Sequence, residues 1–179
     1  KWMAREMNYR PNPFALSLRK NAPRIIGVVV PDIVTHFFAS ILNGIENMAV
    51  KNGYFVIITT SHESYEHEKR NVENLVNMRV EGIIACLSQE TTDYTHFAEL
   101  KDINMPLIMF DRVCLTDQFS SVVADGEHSA QMATQHLLDN GCKRVAFIGG
   151  ANHLDIVKRR KHGYLEALRN NKIPIEKEL

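Results

Sequence analysis

Four short runs rich in β-branched and other apolar residues recur along the chain at nearly even intervals, and this spacing constrains the fold more than any single motif. The runs are IIGVVV (25–30), YFVIITT (54–60), IIACLS (83–88) and PLIMFD (106–111). They begin about 23 to 29 residues apart, the length of a strand, a helix and the next parallel strand. Between them lie segments with apolar residues at helical spacing. In FFASILNGIENMAVKNG these are Phe37, Phe38, Ile41, Leu42, Ile45, Met48 and Ala49, with Gly53 placed to close the helix in a left-handed turn. EHEKRNVENLVNMRVEG reads as a second amphipathic helix closed by Gly82, and residues 92–103 as a third. Asn52-Gly53 and Asn140-Gly141 each follow a helical pattern, so they read as helix ends rather than hairpin turns. The expectation is an α/β domain with a doubly wound parallel sheet.

After a loop at 112–120 the pattern restarts. SVVA (121–124) reads as a short strand, and Asp125 can cap a helix running to Asn140. KRVAFIGG (143–150) reads as another strand, and DIVKRRKHGYLEALRNN (155–171) as another helix. Too few elements follow for this second unit to close a sheet of its own. The division expected is residues 24–124 as a first lobe and 125–179 as the beginning of a second.

Composition matters chiefly for what it excludes. The chain has 179 residues, 45% hydrophobic and 23% charged, which suits a globular domain. No apolar run nears the roughly 18 residues of a membrane span. The first residues lack the charged-then-apolar order of a secretory signal. Three cysteines without CxxC spacing point away from a disulfide framework and toward a reducing cytoplasm. The net charge of zero conceals an asymmetry: residues 1–24 carry Lys1, Arg5, Arg10, Arg19, Lys20 and Arg24 against Glu6 alone. A basic leader on an acidic body suits contact with a polyanion, or else a solvated tail.

Several apparent motifs dissolve on inspection. Gly149-Gly150 follows a strand-like run without GxGxxG or a P-loop, so it reads as a turn. His62, Glu63, His67 and Glu68 lack the HExxH spacing of a metal site and read as a polar helix entrance. Cys86, Cys114 and Cys142 have no assignable histidine partner. Neither a metal nor a cofactor is implied. Asp32, Asp111 and Asp125 each follow a strand, where an open parallel sheet places its ligand crevice. Two readings stand for them: carboxylates that accept hydrogen bonds from a polar ligand, or caps of the turn or helix that follows.

NYRPNPFALSLR, IIGVVVPDIVTHFFASILNGIE, RVEGII, MPLIMFDR, HLLDNGCKRVAFIGG and RRKHGYLEAL occur in an order and spacing that resemble the lactose-repressor (LacI/GalR) family of bacterial transcription regulators. The resemblance covers essentially the whole chain. It departs at Thr35-His36, where the family often has Asn-Pro, at Leu16 in place of a frequent arginine, and at Gly126 in place of a frequent asparagine. The resemblance implies that residues 1–10 end a helix-turn-helix headpiece, that 11–23 form a hinge helix and linker, and that the chain is a fragment at both ends. Asn12 can cap and Pro13 can open that short helix, which is too short to stand alone in water. By resemblance the hinge meets operator DNA through Asn12, Ala15, Leu18 and Arg19, with Leu18 wedged between base steps in the minor groove. The effector crevice would be formed by Phe37, Phe38, Asp111 and Arg160, an apolar wall with an Asp–Arg pair suited to a sugar or similar polyol. The implied protein is a cytoplasmic homodimeric repressor without enzymatic activity. A periplasmic-type sugar-binding protein with no DNA role is the alternative, and the basic leader argues against it.

Overall fold

The computed structural model describes residues 24–175. The expected headpiece end and hinge, and with them Asn12, Ala15, Leu18 and Arg19, lie outside the described residues.

The described chain opens with β1 (Ile25–Val30), α1 (His36–Lys51), β2 (Phe55–Thr60), α2 (Tyr65–Asn77) and β3 (Gly82–Ala85). It continues with α3 (Thr95–Asp102), β4 (Leu107–Phe110), β5 (Ser120–Val122), α4 (Gly126–Asp139) and α5 (Asp155–Asn170). The strands form one sheet in the order β2-β1-β3-β4-β5, and every neighbouring pair is parallel. Successive side chains of a strand point to opposite faces, so the apolar runs feed two cores. On one face Val29, Ile83, Ala85 and Met109 pack with Val72 and Leu75 of α2 and Phe97 and Leu100 of α3. On the other Val28, Val30, Cys86 and Phe110 pack with Phe38 and Leu42 of α1. Helices on both faces explain why the strands read as continuous apolar runs rather than as alternating ones.

Helix ends follow local chemistry. Asn52 caps α1 and Gly53 turns left-handed at φ 76°; Asn140 and Gly141, at φ 86°, do the same after α4. Both Asn-Gly pairs are thus helix ends. Asp125 caps α4, its Oδ1 accepting the His128 N–H at 3.1 Å.

Three expectations need correction. The second helix does not run to Gly82. It stops at Asn77, Arg79 takes the left-handed turn at φ 56°, and Gly82 opens β3. The third strand ends at Ala85, because beyond it the Ser88 and Gln89 amides donate to side-chain carboxylates instead of a neighbouring strand. Most plainly, 143–150 is not a strand. Among the described residues no partner strand lies beside it, and a strand exists only through its ladder. The segment instead lies against α5: Tyr164 donates its hydroxyl to the Val145 carbonyl at 2.9 Å, and the Phe147 and Tyr164 rings stack at 5.5 Å. Ile148, on the alternate side, is 96% exposed.

Candidate functional site

The strand order fixes where a ligand can sit. From β1 the chain steps to one side for β2, then crosses to the other side for β3, so the connections diverge between β1 and β3. At such a switch point the loops leaving the carboxyl ends of the strands part and leave a crevice. Here those loops carry Asp32 after β1, His62 and Glu63 after β2, Cys86 to Thr91 after β3, and Asp111 and Arg112 after β4.

Asp32 is occupied locally. Its Oδ1 accepts the Val34 N–H at 2.9 Å, and that hydrogen bond, with others from the same turn, holds its carboxyl below the usual aspartate range. The capping reading fits it. Asp125 is likewise a cap, with Arg159 Nη2 at 3.9 Å from its Oδ1.

Asp111 differs. It sits in the left-handed region at φ 56°, a conformation that a non-glycine residue adopts only where neighbours dictate it. Its N–H donates to the Val122 carbonyl at 3.1 Å, tying the end of β4 to β5. Burial pushes its carboxyl up, and the charges of Arg112 and Arg160 partly offset this. The charge of Arg160, on α5, is thus felt at Asp111, while the α5 arginine that lines the recess beside Asp111 is Arg159. A recess between the two units is lined by Asp111, Ala124, Gly126, Asp155 and Arg159. The Arg160 side chain crosses over Gly126, where an added Cβ would stand 3.3 Å from Arg160 Cγ.

The two phenylalanines separate. Phe37 is 50% exposed at the start of α1, whereas Phe38 is 6% exposed and packs edge-on against Phe110, with ring centroids 6.4 Å apart. Phe37 leaves an apolar face exposed, while Phe38, in edge contact with it at 5.2 Å, belongs to the core.

Residues that sequence reasoning passed over as a polar helix entrance are engaged beneath the crevice. Arg112 Nη1 donates to both oxygens of Glu63, at 3.0 and 2.7 Å. Glu68 is fully buried beside His96. A signal was available: Glu68 falls on the apolar stripe of α2 with Val72 and Leu75, where a carboxylate needs partners. Among the described residues no group of three or more His, Cys, Asp or Glu side chains is arranged to hold a metal ion. Burial pushes the thiols of Cys86 and Cys114 up to about 12, leaving both protonated and poor nucleophiles. A larger concavity of about 200 Å³ opens at the amino ends of β1, β3 and β4, lined by Ile26, Tyr54, Glu81, Pro106 and Ile108. It lies at the opposite end of the sheet from Asp111 and has few polar groups, so the crevice remains the better site.

Fold and crevice together define a doubly wound α/β domain with a recess at the carboxyl ends of its strands, where an open parallel sheet takes a ligand. Residues 24–178 match the family of periplasmic binding proteins and the sugar-binding domain of the LacI family, and the chain belongs to it. It is 33% identical to catabolite control protein A of Priestia megaterium, over 94% of this chain and 51% of that protein. Identity to the ribose operon repressor of Halalkalibacterium halodurans is 28%, over 94% of this chain and 49% of that protein. The chain thus spans about half the length of these curated relatives. Among solved structures it is similar to a periplasmic binding protein/LacI transcriptional regulator from Alkaliphilus metalliredigens QYMF in complex with D-xylulofuranose. The TM-score there is 0.75 and the identity 28%, over 86% of this chain and 55% of that one. Among the described residues no helix is long and apolar enough to cross a membrane.

Proposed function

We propose that this chain is the effector-binding core of a cytoplasmic, homodimeric transcriptional repressor whose ligand is a sugar or similar polyol. The observation that carries the reading is Asp111, half-buried and held left-handed at the end of β4, with Arg160 of α5 in electrostatic reach. Such a pair presents an acceptor and a donor to vicinal hydroxyls, and Phe37 offers an apolar face to the C–H side of a ring. Support also comes from the relatives, one named a repressor and one solved with a furanose sugar. The relatives are named as regulators, and the role assigned here is binding rather than catalysis.

In this reading residues 24–124 form the first lobe and 125–179 begin the second. Ligand that bridges Asp111 and Arg160 favours the closed arrangement by its differential affinity. Closure would reach DNA through residues 11–23, where Leu18 wedges into the minor groove and Asn12, Ala15 and Arg19 complete the contact; residues 1–10 would close the headpiece.

The test is anisotropy of a labelled DNA duplex titrated with the chain at several salt concentrations. Expected is weak association with dissociation constants of roughly 10⁻⁴ to 10⁻⁶ M that weakens steeply with salt, as phosphate contacts require. In the full-length protein Leu18→Ala should weaken operator binding while leaving the unfolding midpoint unchanged. Absence of salt-sensitive association would remove the DNA-binding role and leave the periplasmic-type alternative.

A further inference from the structure

Beneath the crevice lies a set of polar groups that ligand contact does not explain. Glu68 is fully buried on the inner stripe of α2. Replacing a buried, paired carboxylate by an apolar residue of similar volume is often neutral or stabilising, so packing alone does not call for one there. Both oxygens are taken. Oε2 accepts the Ser88 backbone N–H at 2.6 Å, while Oε1 accepts the Thr91 hydroxyl at 2.7 Å and lies 3.1 Å from His96 Nε2.

Glu63, in the β2–α2 turn, makes parallel contacts. Its Oε2 accepts the Gln89 N–H at 2.7 Å, and both oxygens accept from Arg112. Every backbone amide from Leu87 to Thr91 then has an acceptor. Leu87 donates to the Arg112 carbonyl at 3.1 Å, Glu90 to the Glu63 carbonyl at 3.4 Å, and Thr91 to the Ser88 carbonyl at 3.2 Å. Ser88 and Gln89 donate to the two carboxylates. A loop outside any helix or strand is thus held largely by one neighbouring segment.

We propose that Glu63 and Glu68 are positioning residues of the crevice: together they lock the 87–91 loop and the Asp111-Arg112 turn to the end of β2. The proposal rests on the crevice being the ligand site. The 87–91 loop leaves the carboxyl end of β3 beside the switch point, and its Leu87 amide is bonded to the Arg112 carbonyl next to Asp111. Asp111 is joined to Arg112 by a peptide bond, so Glu63 acts on the position of the Asp111 carboxylate through the Arg112 guanidinium it holds. His62 and Glu63 are themselves left-handed, at φ 52° and 61°. Two consecutive non-glycine residues persist there only where surrounding bonds over-determine them, and the Glu63 side chain supplies three.

Hydrogen exchange on the full chain tests this, with calorimetric titration of D-xylulose as a second readout. Glutamine at 68 is nearly isosteric. Its carbonyl can accept from Ser88, and its amide can donate to the Thr91 hydroxyl and to His96 in the other tautomer. In Glu68→Ala the amides of Ser88 to Thr91 should exchange at least tenfold faster relative to those of Val28 to Val30, and Glu68→Gln should restore most of their protection. Glu63→Ala, at a partly exposed side chain, should free Gln89 in the same way and reads the loop even if Glu68→Ala does not fold. D-xylulose affinity should fall at least tenfold in both alanine variants. Loop amides that accelerate no more than those of β1, or a glutamine variant that folds yet behaves like alanine, would overturn the proposal. A wild-type chain that does not bind D-xylulose would count against the sugar reading alone, because the exchange comparison still decides whether the carboxylates hold the loop.

Discussion

Gly163 is buried in α5 where that helix crosses α4, three residues beyond Arg160. A Cβ built there would overlap the Glu127 carbonyl oxygen and stand 2.9 Å from its carbonyl carbon and 3.0 Å from the Gln131 nitrogen. These are backbone atoms of a neighbouring helix, so no side chain can swing aside; the two helices must separate. Overpacking of this kind costs about 1–3 kcal/mol, and a backbone obstacle puts Gly163→Ala at the upper end. Replacing a mid-helix glycine by alanine returns about 1 kcal/mol of helix propensity. The net loss is then about 2 kcal/mol, or about 4–8 °C in unfolding midpoint for a chain of this size. Gly44 in α1 supplies the control, since nothing lies within 4 Å of its missing Cβ. Gly44→Ala should keep the propensity gain and raise the midpoint by about 2–4 °C. Thermal unfolding followed by circular dichroism measures both. A Gly163→Ala midpoint at or above wild type would refute the close crossing, and with it the positioning of Arg160 over Gly126.

Other outcomes follow from the same geometry. On the proposed reading the raised carboxyl of Asp111 accepts from a ligand hydroxyl in its ionised form, so ligand affinity should be full above its pKa and fall as pH drops through it. That midpoint should lie above the ordinary aspartate value of 3.8, and Asp111→Asn should abolish the dependence in calorimetry across pH. Asp125→Ala removes the α4 cap and should cost about 1 kcal/mol in urea unfolding. Iodoacetamide should label the exposed Cys142 in the native chain while Cys86 and Cys114, buried and protonated, react only after unfolding; mass spectrometry of native and denatured samples separates the two cases.

The parallel sheet was legible because strands buried on both faces must be apolar throughout, and a run such as Ile25–Val30 is far shorter than the roughly 18 residues of a membrane span. Cap chemistry was equally legible where the deciding group is local, as at Asp125 and Asn52-Gly53. What the sequence hid depends on partners distant along the chain. Whether 143–150 forms a ladder depends on a neighbouring strand, and apolar alternation alone does not supply one. Gly82 resembled a helix end, yet Arg79 made the left-handed turn. At the site, Asp32, Asp111 and Asp125 could all be read from their places after a strand, and the resemblance singled out Asp111, but the local reason for its difference from Asp32 could not be read. That difference lies in which carboxylate has its own turn's amides to accept from. Glu68 was legible only as an anomaly, a charge on an apolar stripe, since its partners Ser88, Thr91 and His96 are 20 or more residues away.

The central claim is that Asp111 and Arg160 together hold one polyol, and a double-mutant cycle measures it most directly. Calorimetric titration of a panel of neutral pentoses and hexoses, D-xylulose included, identifies the tightest ligand for the wild-type chain. That ligand is then titrated into Asp111→Ala, Arg160→Ala and the double variant. Leaving a ligand hydroxyl unpaired in a desolvated site costs about 1–3 kcal/mol, so each single variant should lose roughly five- to 150-fold in affinity. Because both groups grip one ligand, the double variant should lose less than the sum of the two losses, by at least about 0.5 kcal/mol. Unchanged affinity in both single variants, or no binding by any sugar in the panel, would contradict the account.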